Sequence, residues 1–149
     1  MHAQRHSQSV ILCVDDRDTE TRLEVRKRML ERAGYRALVA TSARKAVEIF
    51  LKNHVDLVLT EQGLSTTLGG PTLAATMKRL KPDVPVLIYS ADWAESPEDM
   101  LFADRFITKL VSIDELLCTI EKLLVEVRKV QRRTGDRASL MGNNPAKAA

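Results

Sequence analysis

Short apolar runs alternate with amphipathic stretches along most of the chain. Val10–Val14 and Val55–Thr60 are almost wholly apolar, which is typical of parallel strands buried on both faces. After such runs, apolar residues recur at the 3.6-residue spacing of a helix that packs on one side, as in residues 43–51. The two patterns alternate five times and together predict an α/β fold.

The repeated strand–helix unit also predicts a topology. With right-handed crossovers, it gives a doubly wound parallel sheet with helices on both faces, which is a three-layer sandwich. We expect five strands in the order 2-1-3-4-5. The predicted strands are Val10–Val14, Arg36–Ala40, Val55–Thr60, Val84–Tyr89 and Arg105–Thr108. The predicted helices cover residues 17–33, 43–51, 71–80, 97–103 and 113–127.

Charge divides the chain into three parts. We predict a disordered polar lead-in at residues 1–8, one domain at 9–127, and a basic tail at 128–149 that is disordered beyond one further helical turn. The net charge is −2 over residues 1–127 and +5 over residues 128–149. The pI near 9.0 therefore does not indicate a nucleic-acid-binding domain.

Compartment and redox chemistry follow from what the sequence contains. No stretch approaches the roughly 20 apolar residues of a membrane helix, and the first residues have no signal-peptide core. We therefore expect a cytoplasmic protein that makes no use of a membrane. Cys13 and Cys118 show no metal-type spacing, and we expect both to be small buried thiols.

Polar side chains follow four of the predicted strands. Asp15 and Asp16 come after the first, Glu61 after the third, Ser90 after the fourth and Lys109 after the fifth. Because ligands bind at the carboxyl ends of strands in such sheets, we expect one pocket there. Three carboxylates in a pocket repel one another unless a cation lies among them. Oxygen ligands suit Mg²⁺, and a lysine supplies a second positive charge.

Together these motifs resemble the receiver domain of two-component response regulators over about residues 10–127. Each motif is weak alone, but their order and spacing are specific. The resemblance rests on Asp15-Asp16, the apolar run before Glu61, Gly69 eight residues later, Ser90-Ala91, and Phe106 to Lys109. It implies the flavodoxin-like form of the doubly wound fold.

The resemblance also implies a metal site and a phosphate acceptor. In that family an acidic pair holds Mg²⁺, and an aspartate after the third strand takes phosphate from a histidine kinase. Asp15 and Asp16 match the pair, Glu61 stands at the acceptor position, and the backbone carbonyl of Gly63 would complete the metal shell.

Three further residues match the family's switch and phosphate pocket. Ser90 matches the hydroxyl that moves to meet the phosphate, and Phe106 matches the aromatic residue that moves with it. Lys109 matches the lysine that contacts the phosphate. These roles are implied by the resemblance alone.

The acceptor position departs from the family, because it holds a glutamate. The extra methylene carries the carboxylate of Glu61 roughly 1.5 Å further into the pocket. In-line phosphoryl transfer depends on positioning and tolerates little displacement. The longer side chain can reach Lys109 directly, so a purely structural ion pair and a partial mimic of the phosphorylated state are both open interpretations.

Other departures lie in the loops and near the fourth helix. Ser65 and Leu110 stand where the family usually has proline. Without proline, a cis bond after Lys109 costs about 3–4 kcal/mol and is not expected. The 19 residues from Ser90 to Lys109 are a short spacing for the family. The loop or the fourth helix is therefore about one turn shorter, which changes the face that usually contacts the output partner.

The leading hypothesis is an atypical, stand-alone receiver that is not an enzyme. It would bind a protein partner through its fourth helix, fifth strand and fifth helix, and would bind Mg²⁺ weakly. One alternative is a phosphotransfer protein that still accepts phosphate from a histidine kinase. Another is a nucleic-acid adaptor that uses the basic tail, although the tail lacks interleaved aromatic residues.

Overall fold

The computed structural model describes most of the chain. The described residues are 8–16, 20–65, 70–91 and 97–142. Four predictions fall outside them: the disorder of residues 1–7, the first helix over residues 17–19, the role of Gly69 in the resemblance, and the disorder of residues 143–149.

Five parallel strands form one sheet in the order β2-β1-β3-β4-β5, so the predicted topology is confirmed. The strands are β1 (Val10–Val14), β2 (Arg36–Ala40), β3 (Leu57–Thr60), β4 (Val86–Ser90) and β5 (Arg105–Thr108). Two strands start later than predicted, at Leu57 and Val86. Pro85, just before β4, has no N–H to donate, although its carbonyl accepts a hydrogen bond from Val58 at 3.0 Å.

Five helices connect and follow the strands. They are α1 (Glu20–Arg32), α2 (Ala43–Lys52), α3 (Leu73–Leu80), α4 (Pro97–Phe102) and α5 (Ile113–Gly142). Ser42 caps α2 by accepting a hydrogen bond from the Lys45 N–H at 3.1 Å. Thr72 caps α3, which begins at Leu73, two residues later than predicted. Pro71 lies before the cap.

Gly34 ends α1 in the left-handed conformation, with φ +96°. The N–H of Gly34 donates to the Glu31 carbonyl at 3.0 Å, and that of Tyr35 donates to the Leu30 carbonyl at 3.1 Å. These two bonds satisfy carbonyls that have no partner further along the helix. The helix α1 thus ends within one residue of its predicted end at residue 33.

The sheet separates two apolar layers. Alternate β1 residues face opposite sides: Leu12 and Val14 join the cluster formed with α2 and α3. Ile11 and Cys13 join the cluster formed with α1 and α5. The α4 helix packs beside α3. The three-layer arrangement is as predicted, and it leaves the carboxyl ends of β1, β3, β4 and β5 along one edge.

The α5 helix runs 15 residues beyond its predicted end at Val127, so it continues well past the one further turn that the sequence predicts before the tail. That stretch contains arginine, lysine, glutamine, alanine and leucine, which are good helix formers. It continues a helix whose first half packs on the sheet, so it needs no new nucleus. Although α5 is long, neither it nor any other described helix has the length and apolar character of a membrane span.

The two cysteines differ, so the prediction for them is half correct. Cys13 lies fully buried in β1, whereas Cys118 lies exposed on α5. Burial raises the pKa of the Cys13 thiol to about 12, while the nearby Arg26 charge acts in the opposite direction. Arg26 therefore comes close to β1 from α1.

Candidate functional site

Two buried carboxylates lie side by side where β1 and β3 end. Val14 and Thr60 are partners in the parallel register, so the residues that follow them are neighbours. The Asp15 N–H donates to the Ala40 carbonyl at 3.2 Å, and the Glu61 N–H donates to the Val14 carbonyl at 3.1 Å. Asp15 is 1% exposed and Glu61 is 7% exposed. Backbone hydrogen bonds therefore hold both acids at the edge of the sheet.

Lys109 compensates these carboxylates from the end of β5. Its backbone N–H donates to the Ser90 carbonyl at 2.8 Å. Its Nζ lies 2.7 Å from Glu61 Oε2 and 3.4 Å from Asp15 Oδ2. The buried Oε2 atom receives no aligned hydrogen bond from the described residues, so the ammonium charge itself compensates it. The predicted reach of Glu61 to Lys109 is present in the structure.

A second cation, from α1, was not predicted. Nη1 of Arg26 lies 3.7 Å from Asp15 Oδ2, and the Arg26 side chain is only 12% exposed. Its guanidinium carbon lies 5.1 Å from the ring centroid of Tyr89, and Lys109 Nζ lies 5.8 Å from the same centroid. One aromatic ring thus contacts both cations, an arrangement that favours positive charge.

The sequence carried a signal for Arg26. Leu23 and Leu30 face the sheet from α1 and are buried. Arg26 lies three residues after the first and four before the second, on the same face of the helix. A charged residue inside an apolar stripe needs a partner, because an unpaired buried charge is very costly. The position thus indicated an internal ion pair, although not with which acid.

The loop after β3 is held from α4 by a residue that sequence reasoning did not assign. Asp99 is 2% exposed, and its Oδ2 accepts a hydrogen bond from the Gly63 N–H at 2.6 Å. Gly63 has φ +74°, a conformation that favours glycine. An aspartate in the first turn of a helix also suits the helix dipole, so its sequence position alone did not reveal this contact.

The predicted switch residues occupy the last two strands. Ser90 is buried at the end of β4, and its register partner is Thr108. Phe106 is partly buried against the cluster on the α2 and α3 side. Tyr89 packs against the opposite cluster, on the side of Arg26. The aromatic ring that contacts the cations is therefore Tyr89.

The predicted Mg²⁺ ligands do not form a ready metal site in this arrangement. Asp15 and Glu61 are buried and face cationic side chains, while Asp16 is exposed. Across residues 8–16, 20–65, 70–91 and 97–142, no three His, Cys, Asp or Glu side chains are grouped to hold a metal ion. Two of the carboxylates that would bind Mg²⁺, Asp15 and Glu61, already have positive partners. The ligand set of Asp15, Asp16, Glu61 and Gly63 stays a prediction.

The two loop departures have direct structural outcomes. Leu110 is 89% exposed, and among the described residues no peptide bond is cis, including the one that follows Lys109. Ser65 forms an isolated antiparallel bridge with Thr72. Its hydroxyl donates to the Gly70 carbonyl at 3.3 Å.

Comparison with known proteins relates this chain to a protein family and to curated relatives. The family described as response regulator receiver domain matches residues 11–121. LuxN of Vibrio campbellii, an autoinducer 1 sensor kinase/phosphatase, is 31% identical over 91 residues, which are 61% of this chain and 10% of LuxN. RprY of Bacteroides fragilis, a transcriptional regulatory protein, is 30% identical over 124 residues, 80% of this chain and 50% of RprY. The chain thus spans at most about half of these relatives.

Solved structures share the fold. A CheY-like receiver domain protein from Methanospirillum hungatei has a TM-score of 0.70 at 27% identity, covering 82% of this chain and 98% of that one. TrrA from Thermotoga maritima, solved in complex with Mg²⁺-BeF, has a TM-score of 0.67 at 26% identity, covering 78% and 99%. TrrA has also been solved in complex with the histidine kinase ThkA.

Proposed function

Because the chain belongs to the response regulator receiver domain family, we propose that it is a non-enzymatic signalling module that acts by binding a protein partner. We propose further that it does not run the usual phosphorylation cycle. The observation that carries this proposal is the 2.7 Å contact between Lys109 Nζ and Glu61 Oε2. The residue at the acceptor position is already paired inside the protein.

Glu61 opposes phosphoryl transfer in two ways. The carboxylate of Glu61 extends one methylene beyond an aspartate, so its oxygens are displaced from the position that in-line attack requires. The same oxygens face Lys109, which a phosphoryl group would otherwise contact. Glu61 brings one charge and two oxygens, whereas an acyl phosphate adds about −1.5 to −2 charge and three acceptor oxygens. Glu61 is therefore at most a partial mimic of a phosphorylated acid.

Any Mg²⁺ bound at this edge is weakly held under this proposal. Asp15 and Glu61 would have to exchange their contacts with Lys109 for contacts with the metal ion. Asp16 is exposed and would be the first ligand to engage. A hard divalent cation also retains several waters, which lowers what each carboxylate gains.

The partner surface is proposed at α4, β5 and the start of α5. Large apolar side chains are exposed on or beside these elements: Met100 is 55% exposed, Leu101 79%, Leu110 89% and Ile113 57%. Clustered apolar exposure is typical of interaction sites. The shortness of α4, at six residues, fits a partner that differs from the usual one. The TrrA–ThkA complex supports a histidine kinase as one candidate class.

Incubation with acetyl phosphate and Mg²⁺ tests the proposal. We expect intact-protein mass spectrometry at neutral pH to show no acyl phosphate on the wild-type chain. A stoichiometric hydroxylamine-sensitive adduct on Glu61 would contradict the proposal. That result would instead support the alternative in which the protein still accepts phosphate.

A Glu61→Asp variant is the matched control, because it removes only the extra methylene. We expect it to gain phosphate relative to wild type under the same conditions. A variant that folds but gains no phosphate would show that side-chain length at position 61 is not what prevents phosphorylation. Gly63 and Asp99 are unchanged in this variant, so we expect their contact to hold the loop in the same geometry.

A further inference from the structure

We infer that Arg26 is a positioning residue that, together with Lys109, supplies Asp15 with the positive charge a divalent cation would otherwise bring. Its presence keeps the affinity of the pocket for Mg²⁺ low. This deepens the proposed function and rests on it, because there the pocket is not phosphorylated. It adds Arg26 of α1 to Lys109 as a cause of weak metal binding.

The geometry places Arg26 within the pocket. Its Nη1 lies 3.7 Å from Asp15 Oδ2, the same oxygen atom that lies 3.4 Å from Lys109 Nζ. Asp15 has a 2% exposed side chain. Two cations therefore approach one buried carboxylate oxygen, and their combined charge equals the charge of Mg²⁺.

A divalent cation at Asp15 would meet like charge on two sides. Opposite charges a few ångströms apart attract strongly when screened from water, and like charges at that distance repel as strongly. Arg26 cannot relieve the repulsion by losing its proton, because the guanidinium stays charged in proteins. For the metal to bind tightly, the guanidinium must move away from a site where it is nearly buried.

The surroundings of Arg26 hold it in place. Its guanidinium lies over the ring of Tyr89 at 5.1 Å, and a planar guanidinium stacks on an aromatic face better than an ammonium does. Leu23 and Leu30, on the same face of α1, are buried. The helix therefore presents Arg26 to the end of β1 with its guanidinium over the Tyr89 ring, whereas Lys109 reaches Asp15 from the end of β5.

Metal titration tests the inference, with Mn²⁺ as the spectroscopic probe and Mg²⁺ as its competitor. Both are divalent cations that bind well to oxygen ligands. We expect Arg26→Gln to bind Mn²⁺ at least about tenfold more tightly than wild type, measured by electron paramagnetic resonance of the free ion. Arg28→Gln is the matched control. It removes an equal charge from the same helix, at a side chain that is 73% exposed, and we expect a change of less than about twofold.

The charge-conserving variant separates charge from packing. We expect Arg26→Lys to stay within about threefold of wild type, because it keeps the positive charge facing Asp15. If Arg26→Gln bound Mn²⁺ no more tightly than Arg28→Gln, the inference would be overturned. Equal gains in Arg26→Lys and Arg26→Gln would overturn it as well, since packing and not charge would then explain them.

A measurement on the wild-type chain keeps the inference testable if the Arg26 variants do not fold. We expect 10 mM Mg²⁺ to leave the thermal midpoint of wild type almost unchanged. A Kd near 0.1 mM would raise the midpoint by several degrees, because the ligand would be present at about 100 times its Kd, and would overturn the inference. These titrations contain no phosphate donor. An acyl phosphate on Glu61 would contradict the proposed function and leave their outcome unaffected.

Discussion

The pocket at the end of the sheet and the second half of α5 are both rich in charge, yet the charge lies in different surroundings. In the pocket, Asp15 and Glu61 are almost fully buried and face Lys109 and Arg26 at 2.7–3.7 Å. Along residues 128–140 of α5, every side chain is exposed. Buried charges need partners and so fix a geometry. Exposed charges are solvated and need no particular partner. The conformation of that stretch therefore depends on helix propensity.

The contrast also predicts how each region responds to the loss of one charged side chain. A buried ion pair depends on both members, since removal of one leaves the other desolvated and uncompensated. An exposed lysine or arginine can be lost at little cost. We therefore expect the pocket to respond strongly to single substitutions and the second half of α5 to respond weakly.

The largest effect is expected for Lys109→Met. This change removes the cation nearest to Glu61 and one of the two that face Asp15, leaving Glu61 without the charge that compensates it. We expect the free energy of unfolding to fall by about 2–3 kcal/mol, measured by urea denaturation.

Lys129→Met is the matched control, because it makes the same chemical change at an exposed position on α5. We expect the free energy of unfolding to change by less than about 0.5 kcal/mol. Losses of similar size at positions 109 and 129 would break the comparison between the two regions.

A small effect is expected when the chain is shortened after Gln131. The Arg128 Nη2 donates to the Ser9 hydroxyl at 2.8 Å, so this contact is kept. Because residues 132–140 are exposed, we expect the free energy of unfolding to change by less than about 0.5 kcal/mol. Far-UV circular dichroism should show the loss of roughly ten helical residues.

Gly135→Pro sharpens the same test without removing any charge. Proline in the middle of a helix removes a hydrogen bond and clashes with the preceding turn. We expect reduced helicity and unchanged stability of the domain. A drop of more than about 2 kcal/mol in either variant would show that the second half of α5 supports the fold.

The sequence was sufficient to predict the sheet, because its central strands β1 and β3 are almost continuous apolar runs. Buried parallel strands are recognised by composition alone, and the polar residues that follow them come together once the strand order is known. The juxtaposition of Asp15, Glu61 and Lys109 was therefore predictable. So was the reach of the longer Glu61 side chain.

Contacts that depend on side-chain direction were not predictable in this way. Arg26 lies in the apolar stripe of α1, but its partner depends on how α1 crosses the sheet. Tyr89 and Phe106 lie on neighbouring strands. Because side chains alternate between the two faces along each strand, these two rings lie on opposite faces of the sheet. Asp99 has the sequence position of an ordinary first-turn acid. In each case the tertiary packing decides which residues meet.

The extent of α5 was predicted wrongly for a different reason. The apolar period fades after Val127, which predicts that the packed part of the helix ends there. Once a helix has formed on the sheet, each further residue adds a hydrogen bond without a nucleation cost. Apolar periodicity reports packing, and a helix can extend beyond the surface that it packs against.

The most direct test of the central claim is a double-mutant cycle between Glu61 and Lys109. The wild type, Glu61→Gln, Lys109→Met and the double variant are compared by urea denaturation at neutral pH. If the two side chains form the ion pair that occupies the acceptor site, we predict a coupling free energy of about 1–3 kcal/mol. Additive effects, with coupling below about 0.3 kcal/mol, would contradict the account.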